Sequence, residues 1–303
     1  MSTLYFCKQV VTNQMLGIGV TRRLLNALSA RPQLAPSRPS GDIWSDPFHP
    51  ELPLRKFRTI LSLIGNTAYC RGKTVLEIGP GMSLGMGIVG VAWGAGRCVL
   101  VDQERYVGRD PRLATSHREL LHLIPSWIPD PDPRYRDCVE IGPDTVRPNE
   151  DLLDYVIASA EDIPVSEDTV DLSISHSTLE HIRDLDATIA ELARLTKSGG
   201  IGVHQVDLAD HLDPGRPLRM LGYTASSWEL MASHRRGWTN RLRLPDYLHC
   251  LEQHHFIVER VEITRSLSPD ELENIRHQLH PDYRQLPDEA LRPLGFRCVF
   301  RKL

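Results

Sequence analysis

Apolar residues in this chain gather in short runs, and the runs alternate with stretches of helical periodicity. The first run covers residues 73–79, where Val75, Leu76 and Ile78 are apolar, and a helical pattern over 83–95 follows it. A second run over 97–102 contains Cys98-Val99-Leu100-Val101. Residues 155–159 form the third, and Val170, Leu172 and Ile174 mark a fourth by strict alternation. The next helix carries Leu185, Ile189, Leu192 and Leu195 on one face and stops at Gly199-Gly200, since glycine takes the left-handed conformation that closes a helix. Residues 201–207 and 256–264 read as strands, with a helix over 245–254 between them, and a last strand alternates Phe296, Cys298 and Phe300. Strands alternating with helices predict an α/β fold: a doubly wound, mostly parallel, seven-stranded sheet.

The pattern leaves an N-terminal segment, 1–72, before a domain spanning 73–303. Residues 12–28 predict an amphipathic helix with Thr12 as its cap and Leu16, Val20, Leu24, Ala27 and Leu28 on one stripe. Packing on the core is its expected role; a lid, a dimer contact and membrane-surface attachment are the alternatives. A proline-rich connector over 31–53 leads to a helix near 54–68. Three inserts interrupt the domain, at 105–150, 208–243 and 265–294. The first is expected to hold a helix over 112–123 and then an irregular stretch set by Pro125, Pro129, Pro131 and Pro133. The third is expected to be helical over 268–279 and 287–291. Together the inserts are expected to form helical caps over the carboxyl ends of the strands, where such sheets bind ligands.

The chemistry concentrates where the first strand ends, in Glu77-Ile78-Gly79-Pro80-Gly81-Met82-Ser83-Leu84-Gly85. Two glycines there allow a sharp turn and close approach of a ligand. About twenty residues later the second strand ends in Asp102, followed by Gln103, and a carboxylate at that place can accept hydrogen bonds from both ribose hydroxyls. The dinucleotide fingerprint G-x-G-x-x-G fits poorly: its third glycine falls on Leu84, and Pro80 removes a donor that a pyrophosphate would use.

The turn resembles the E-x-G-x-G-x-x-x-G signature of class I S-adenosylmethionine (SAM)-dependent methyltransferases, and the resemblance extends from about residue 73 to 264. Ala160-Glu161-Asp162-Ile163-Pro164 is similar to the family's A-E-D-x-P segment, and Ser175-His176-Ser177-Thr178-Leu179-Glu180-His181 to its S-x-x-x-L-E-H. Gly199-Gly200 matches its P-G-G turn, with Ser198 in place of proline. The resemblance implies a Rossmann-like methyltransferase fold with SAM as cofactor. It implies contacts from Glu77, Gly79, Gly81, Asp102, Gln103, Glu161, Asp162 and Ser175, with Glu161 or Asp162 at the adenine. Methyl transfer to oxygen benefits from a base that takes the hydroxyl proton. His181 and His204, near strand ends, are the candidates, because imidazole accepts protons near neutrality. Asp207, Asp210 and His211 could ligate Mg²⁺ or Mn²⁺, but their spacing matches no metal motif and no metal is assigned.

The 303-residue chain carries a net charge of −4, which offers no electrostatic footprint for nucleic acid. Its strand-four end also lacks the N/D-P-P-Y of base-directed methyltransferases. Six dispersed cysteines without a C-x-x-C pair read as reduced thiols. No apolar run approaches a membrane span and no secretory signal is evident, so the expectation is a cytoplasmic enzyme. It would methylate a small-molecule acceptor, most readily a natural product or glycoside at oxygen, and a homodimer is a candidate assembly. Tyr223, Trp228, Trp238, Asn240, Arg241 and Arg243 in the second insert would either line the acceptor pocket or fill a small core of their own. An NAD-dependent oxidoreductase and a non-catalytic SAM-binding scaffold are the competing readings.

Overall fold

The computed structural model describes residues 3–17, 46–108, 110–235 and 237–303. The expected runs become β1 (Thr74–Ile78), β2 (Arg97–Asp102), β5 (Leu153–Ile157), β6 (Val170–His176), β7 (Thr196–Asp207), β8 (Phe256–Ser266) and β9 (Pro293–Lys302), and a two-stranded hairpin, β3 (Val139–Ile141) with β4 (Val146–Pro148), lies inside the first insert. The seven form one sheet in the order β5-β2-β1-β6-β7-β9-β8. β1 pairs in parallel with both β2 and β6, β2 with β5, and β6 with β7. Successive strands therefore step outward on one side of β1 and then return to its other side. That reversal is the switch point at which a doubly wound sheet opens a crevice at its carboxyl ends.

Ten α-helices are described: α1 (Thr3–Gly17), α2 (Glu51–Ile64), α3 (Gly85–Ala92), α4 (Arg112–Trp127), α5 (Leu185–Leu195), α6 (Ala225–Ala232), α7 (Leu244–Gln253), α8 (Pro269–Arg276), α9 (Pro281–Arg284) and α10 (Asp288–Leu291). The chain divides into two compact units. One holds the described part of 1–40 with 207–246 and 263–296; the other holds 41–206, 247–262 and 297–303. The boundary expected near residue 73 thus falls inside the second unit.

In that sheet-bearing unit, Val75, Leu100, Leu172 and Val203 of the strands pack with Leu54, Phe57 and Leu61 of α2. The first insert contributes to the same core through Leu113, Leu120, Ile124, Tyr135, Cys138, Val139 and Val146. Its proline-dense stretch is more regular than expected. Pro125 lies inside α4, in the last turn, where a missing N–H costs only one bond, and Pro133 opens a short 3-10 turn, a position proline tolerates. α2 begins earlier than expected, at Glu51, and stops at Gly65 in the left-handed conformation.

The other unit has its own core of Leu218, Leu221, Trp228, Met231, Leu272 and Leu291. Of the helix expected over 12–28, the portion to Gly17 belongs to α1, and 18–28 lies outside the described residues. α1 is tied to α6 by the buried Asn13, whose amide donates to Leu230 O at 2.9 Å while its oxygen accepts from His234 N at 2.8 Å. Among the described residues no helix is long and apolar enough to cross a membrane.

Candidate active site

β1 delivers the chain into a bend in which Gly79 (φ 73°) and Gly81 (φ 63°) are both left-handed, a conformation that costs a side-chain-bearing residue about 1 kcal/mol or more. Four amides of the bend are already committed. Gly79 N donates to Val101 O at 2.8 Å and Gly81 N to Asp102 Oδ2 at 3.0 Å. Leu84 N donates to His117 Nε2 at 3.1 Å, and His117 Nδ1 donates in turn to Leu113 O at 2.6 Å. Gly85 N meets Ser83 Oγ at 3.0 Å. A bound pyrophosphate would need such donors aimed at its oxygens. Here protein acceptors use them, and one is an acid, so the bend suits a ligand that is not anionic.

Asp102 ends β2 beside the bend. Burial pushes its carboxyl up, while the backbone amides of Gly81, Gln103 and Glu104 pull it back. Gln103 is exposed and reaches the site through its main chain. Tyr155 of β5 braces the bend from the side, its hydroxyl donating to Glu104 O at 3.2 Å and accepting from Tyr106 N at 3.4 Å. The loop with Glu161 and Asp162 starts beside Asp102, where Ala158 N donates to Asp102 O at 3.0 Å. It is fixed from α5: Glu191 accepts from Ile163 N at 2.8 Å, and Arg194 donates to Ile163 O at 3.0 Å. Glu161 is half-buried and Asp162 exposed.

A cleft with about 420 Å³ of empty space, part of it open to solvent, lies over the ends of β1, β6 and β7. Ile60, Leu63, Met86, Ile174 and Val203 give it apolar walls; Lys56, Glu77, Ser175, His176, Gln205 and Arg297 give it polar ones. Glu77 Oε2 is buried with no hydrogen-bond partner. Burial raises this carboxyl to about 8, against the pull of Lys56 and with a smaller push from Asp102. Lys56 is lowered by its own burial, opposed by Glu77. Both directions follow from one cause: the cleft charges neither group cheaply.

His204 is fully buried. Nδ1 lies 2.7 Å from Ser175 Oγ and Nε2 3.2 Å from Ser173 Oγ, and its ring stacks on Phe300 at 5.2 Å. Burial drives its pKa down to about 3. With both nitrogens occupied, the ring positions Ser175. His181 sits half-buried in the 3-10 turn Leu179–His181, just after β6. Thr178 places that turn on the glycine bend, since a Cβ at Gly79 would fall 2.3 Å from Thr178 Oγ1.

Several other residues singled out in the sequence make structural contacts. Asp207 pairs with Arg265 at 3.0 Å, and Asp210 Oδ1 accepts from Leu212 N and Asp213 N. Trp228 and Trp238 fill the small core, Nε1 of Trp228 donating to Thr239 O at 2.9 Å. Arg243 is buried and donates to the carbonyls of Leu208, Ala290, Leu291 and Pro293. Lys56, His117, Tyr155 and Arg297 were not legible as site residues, because each comes from an element distant in sequence. His176 and Gln205 carried a signal, His176 ending β6 and Gln205 standing two residues before the end of β7.

A family model described as a methyltransferase domain matches residues 136–203, less than half of the chain. No curated protein matches the sequence. The chain is similar in structure to a SAM-dependent methyltransferase from Mesorhizobium loti, at 15% identity and a TM-score of 0.42 over 77% of this chain and 93% of that one. It is also similar to the phosphoethanolamine N-methyltransferase 2 of Haemonchus contortus in complex with SAM, at 15% identity and 0.46 over 82% and 52%. The mostly parallel seven-stranded sheet, reversed at β1 and opening on a glycine bend, is a doubly wound, Rossmann-like α/β fold. The methyltransferase-domain match lies within the sheet-bearing unit, from the first insert through β6 into β7.

Proposed function

We propose that this chain is a class I SAM-dependent methyltransferase that acts on a small-molecule acceptor at oxygen, with SAM held by Glu77, Gly79, Gly81, Asp102, Gln103, Glu161, Asp162 and Ser175; the matched methyltransferase-domain model supports the class. The observation that carries the binding reading is the orphaned Oε2 of Glu77. The α-ammonium of SAM is the complement of a buried, partnerless carboxylate, and the half-buried Asp102 beside Gly81 suits two ribose hydroxyls. SAM, when bound, supplies the electrophilic methyl. The chain's part is to exclude water, align the acceptor and take its proton. We assign the proton to His181 and give His204 the task of orienting Ser175, because a ring held near pKa 3 with both nitrogens engaged is a poor base at neutrality. A cleft of about 420 Å³ and a net charge of −4 support a small acceptor over a nucleic acid. Location in the cytoplasm and assembly as a homodimer remain part of this proposal.

The test is S-adenosylhomocysteine release with a panel of hydroxylated acceptors. His181→Ala should lower kcat by about 10²–10⁴-fold while SAM affinity by calorimetry stays within about twofold; an unchanged kcat removes His181 from the mechanism. Glu77 yields a second expectation. In the free protein its carboxyl is protonated below pH 8, and binding an ammonium requires the ionised form. SAM affinity should therefore rise with pH, by at most about tenfold per unit, and level off above 8, with proton uptake by buffer. Glu77→Gln should abolish that dependence and bind weakly throughout. A wild-type affinity flat from pH 6 to 9 contradicts the pairing.

A further inference from the structure

Cys250 and His254 stand one turn apart at the end of α7, His254 N donating to Cys250 O at 3.3 Å. Facing them is Asp186, in the first turn of α5, a helix capped by Asp184. Asp186 Oδ1 lies 2.8 Å from His254 Nε2 and 4.0 Å from Cys250 Sγ, and the three ligand atoms lie within 4.8 Å of one another. A thiol, an imidazole and a carboxylate from two helices converge there, and none of the three lines the cleft. We propose that Asp186, Cys250 and His254 form a Zn²⁺ site that clamps α7 to α5, with solvent at the fourth position.

The geometry is close to what the ion requires. Ligand distances of about 2.0 Å to N and O and about 2.3 Å to S place tetrahedral donors roughly 3.3–3.6 Å apart. The His–Asp separation must open by about half an ångström and the Cys–Asp separation close by about as much. Asp186 is exposed and His254 half-buried, so both can shift, while Cys250 anchors the site from beneath. A thiolate with an imidazole selects Zn²⁺ or Co²⁺ over Mg²⁺ or Ca²⁺. As an ion pair alone, His254 and the exposed Asp186 hold the helices together weakly, and they give no reason for a sulfur to face the same oxygen. Without metal, burial beside Asp186 and Asp184 pushes the Cys250 thiol up to about 11. Metal binding exchanges the thiol proton for the ion: the S–H bond breaks, S–Zn forms, the proton leaves to buffer and no electrons transfer.

Titration of the chelator-stripped, reduced full-length protein with Co²⁺ tests the site. The expected result is a one-to-one complex with a thiolate-to-cobalt charge-transfer band in the near ultraviolet and visible bands of four-coordinate intensity, both displaced by Zn²⁺ and indifferent to millimolar Mg²⁺. Cys250→Ser should lose the charge-transfer band, and Cys7→Ser should keep it. Asp186→Asn, at an exposed position where folding is not at stake, should weaken binding at least tenfold. SAM affinity in each variant confirms the fold separately. No charge-transfer band at micromolar Co²⁺, a band that survives Cys250→Ser, or unaltered affinity in Asp186→Asn overturns the proposal.

Discussion

Gly79→Ala is expected to lower SAM affinity by at least a hundredfold and to destabilise the protein by roughly 2–4 kcal/mol. Two independent costs combine. Gly79 holds φ at 73°, which costs an alanine about 1 kcal/mol before any contact is counted. Its new Cβ would also lie 2.3 Å from Oγ1 and 2.4 Å from Cγ2 of Thr178, an overlap that must push the turn after β6 away from the bend. The two costs separate in a double-mutant cycle. Thr178→Ala removes both close atoms and leaves only Cβ, at 2.9 Å. The pair should therefore recover most of the melting temperature while keeping the backbone strain. If the double variant is as unstable as the sum of the singles, the contact between bend and turn is not what fixes Gly79.

Asp102→Ala is expected to weaken SAM binding by about 1–3 kcal/mol, some five- to 150-fold, as loss of a charge-assisted hydrogen-bond pair to ribose does. The carboxylate has a second duty that sharpens the experiment. Its Oδ2 accepts from Gly81 N, so alanine also releases an amide of the bend. Asp102→Asn keeps an oxygen for that amide and loses the charge. Asparagine should therefore preserve thermal stability better than alanine while remaining weak for SAM. Equal SAM affinity in wild type and Asp102→Ala, measured by calorimetry, would remove Asp102 from the ribose. Recovered affinity for NAD would revive the dinucleotide reading that the committed amides of Gly81 and Leu84 argue against.

The strand runs, the glycine bend and Asp102 could all be read from the chain, because each is a local pattern: period-two apolarity, a pair of glycines, an acid ending a strand. The S-x-x-x-L-E-H segment likewise lay where β6 ends. His204 was legible as a residue and not as a role. Its neighbours Ser173 and Ser175 are about thirty residues away, and only strand pairing puts their hydroxyls on its two nitrogens. Past its expected helix the first insert read as irregular because its prolines break local propensity, yet Ile124, Tyr135 and Val146 enter the sheet's core. Tertiary burial outweighs propensity there.

Sequence alone determined which segments become the strands of the large sheet, in what order they follow, and where the glycine turn sits, since those depend on interactions between residues a few positions apart. Tertiary structure decided which charges are suppressed, which amides are spent, and which side chains from remote helices meet. Glu77 acquires its raised pKa from burial opposite Lys56, and Asp186 meets Cys250 and His254 across more than sixty residues of chain. Burial and proximity are properties of the packed chain, and they carry no period along it.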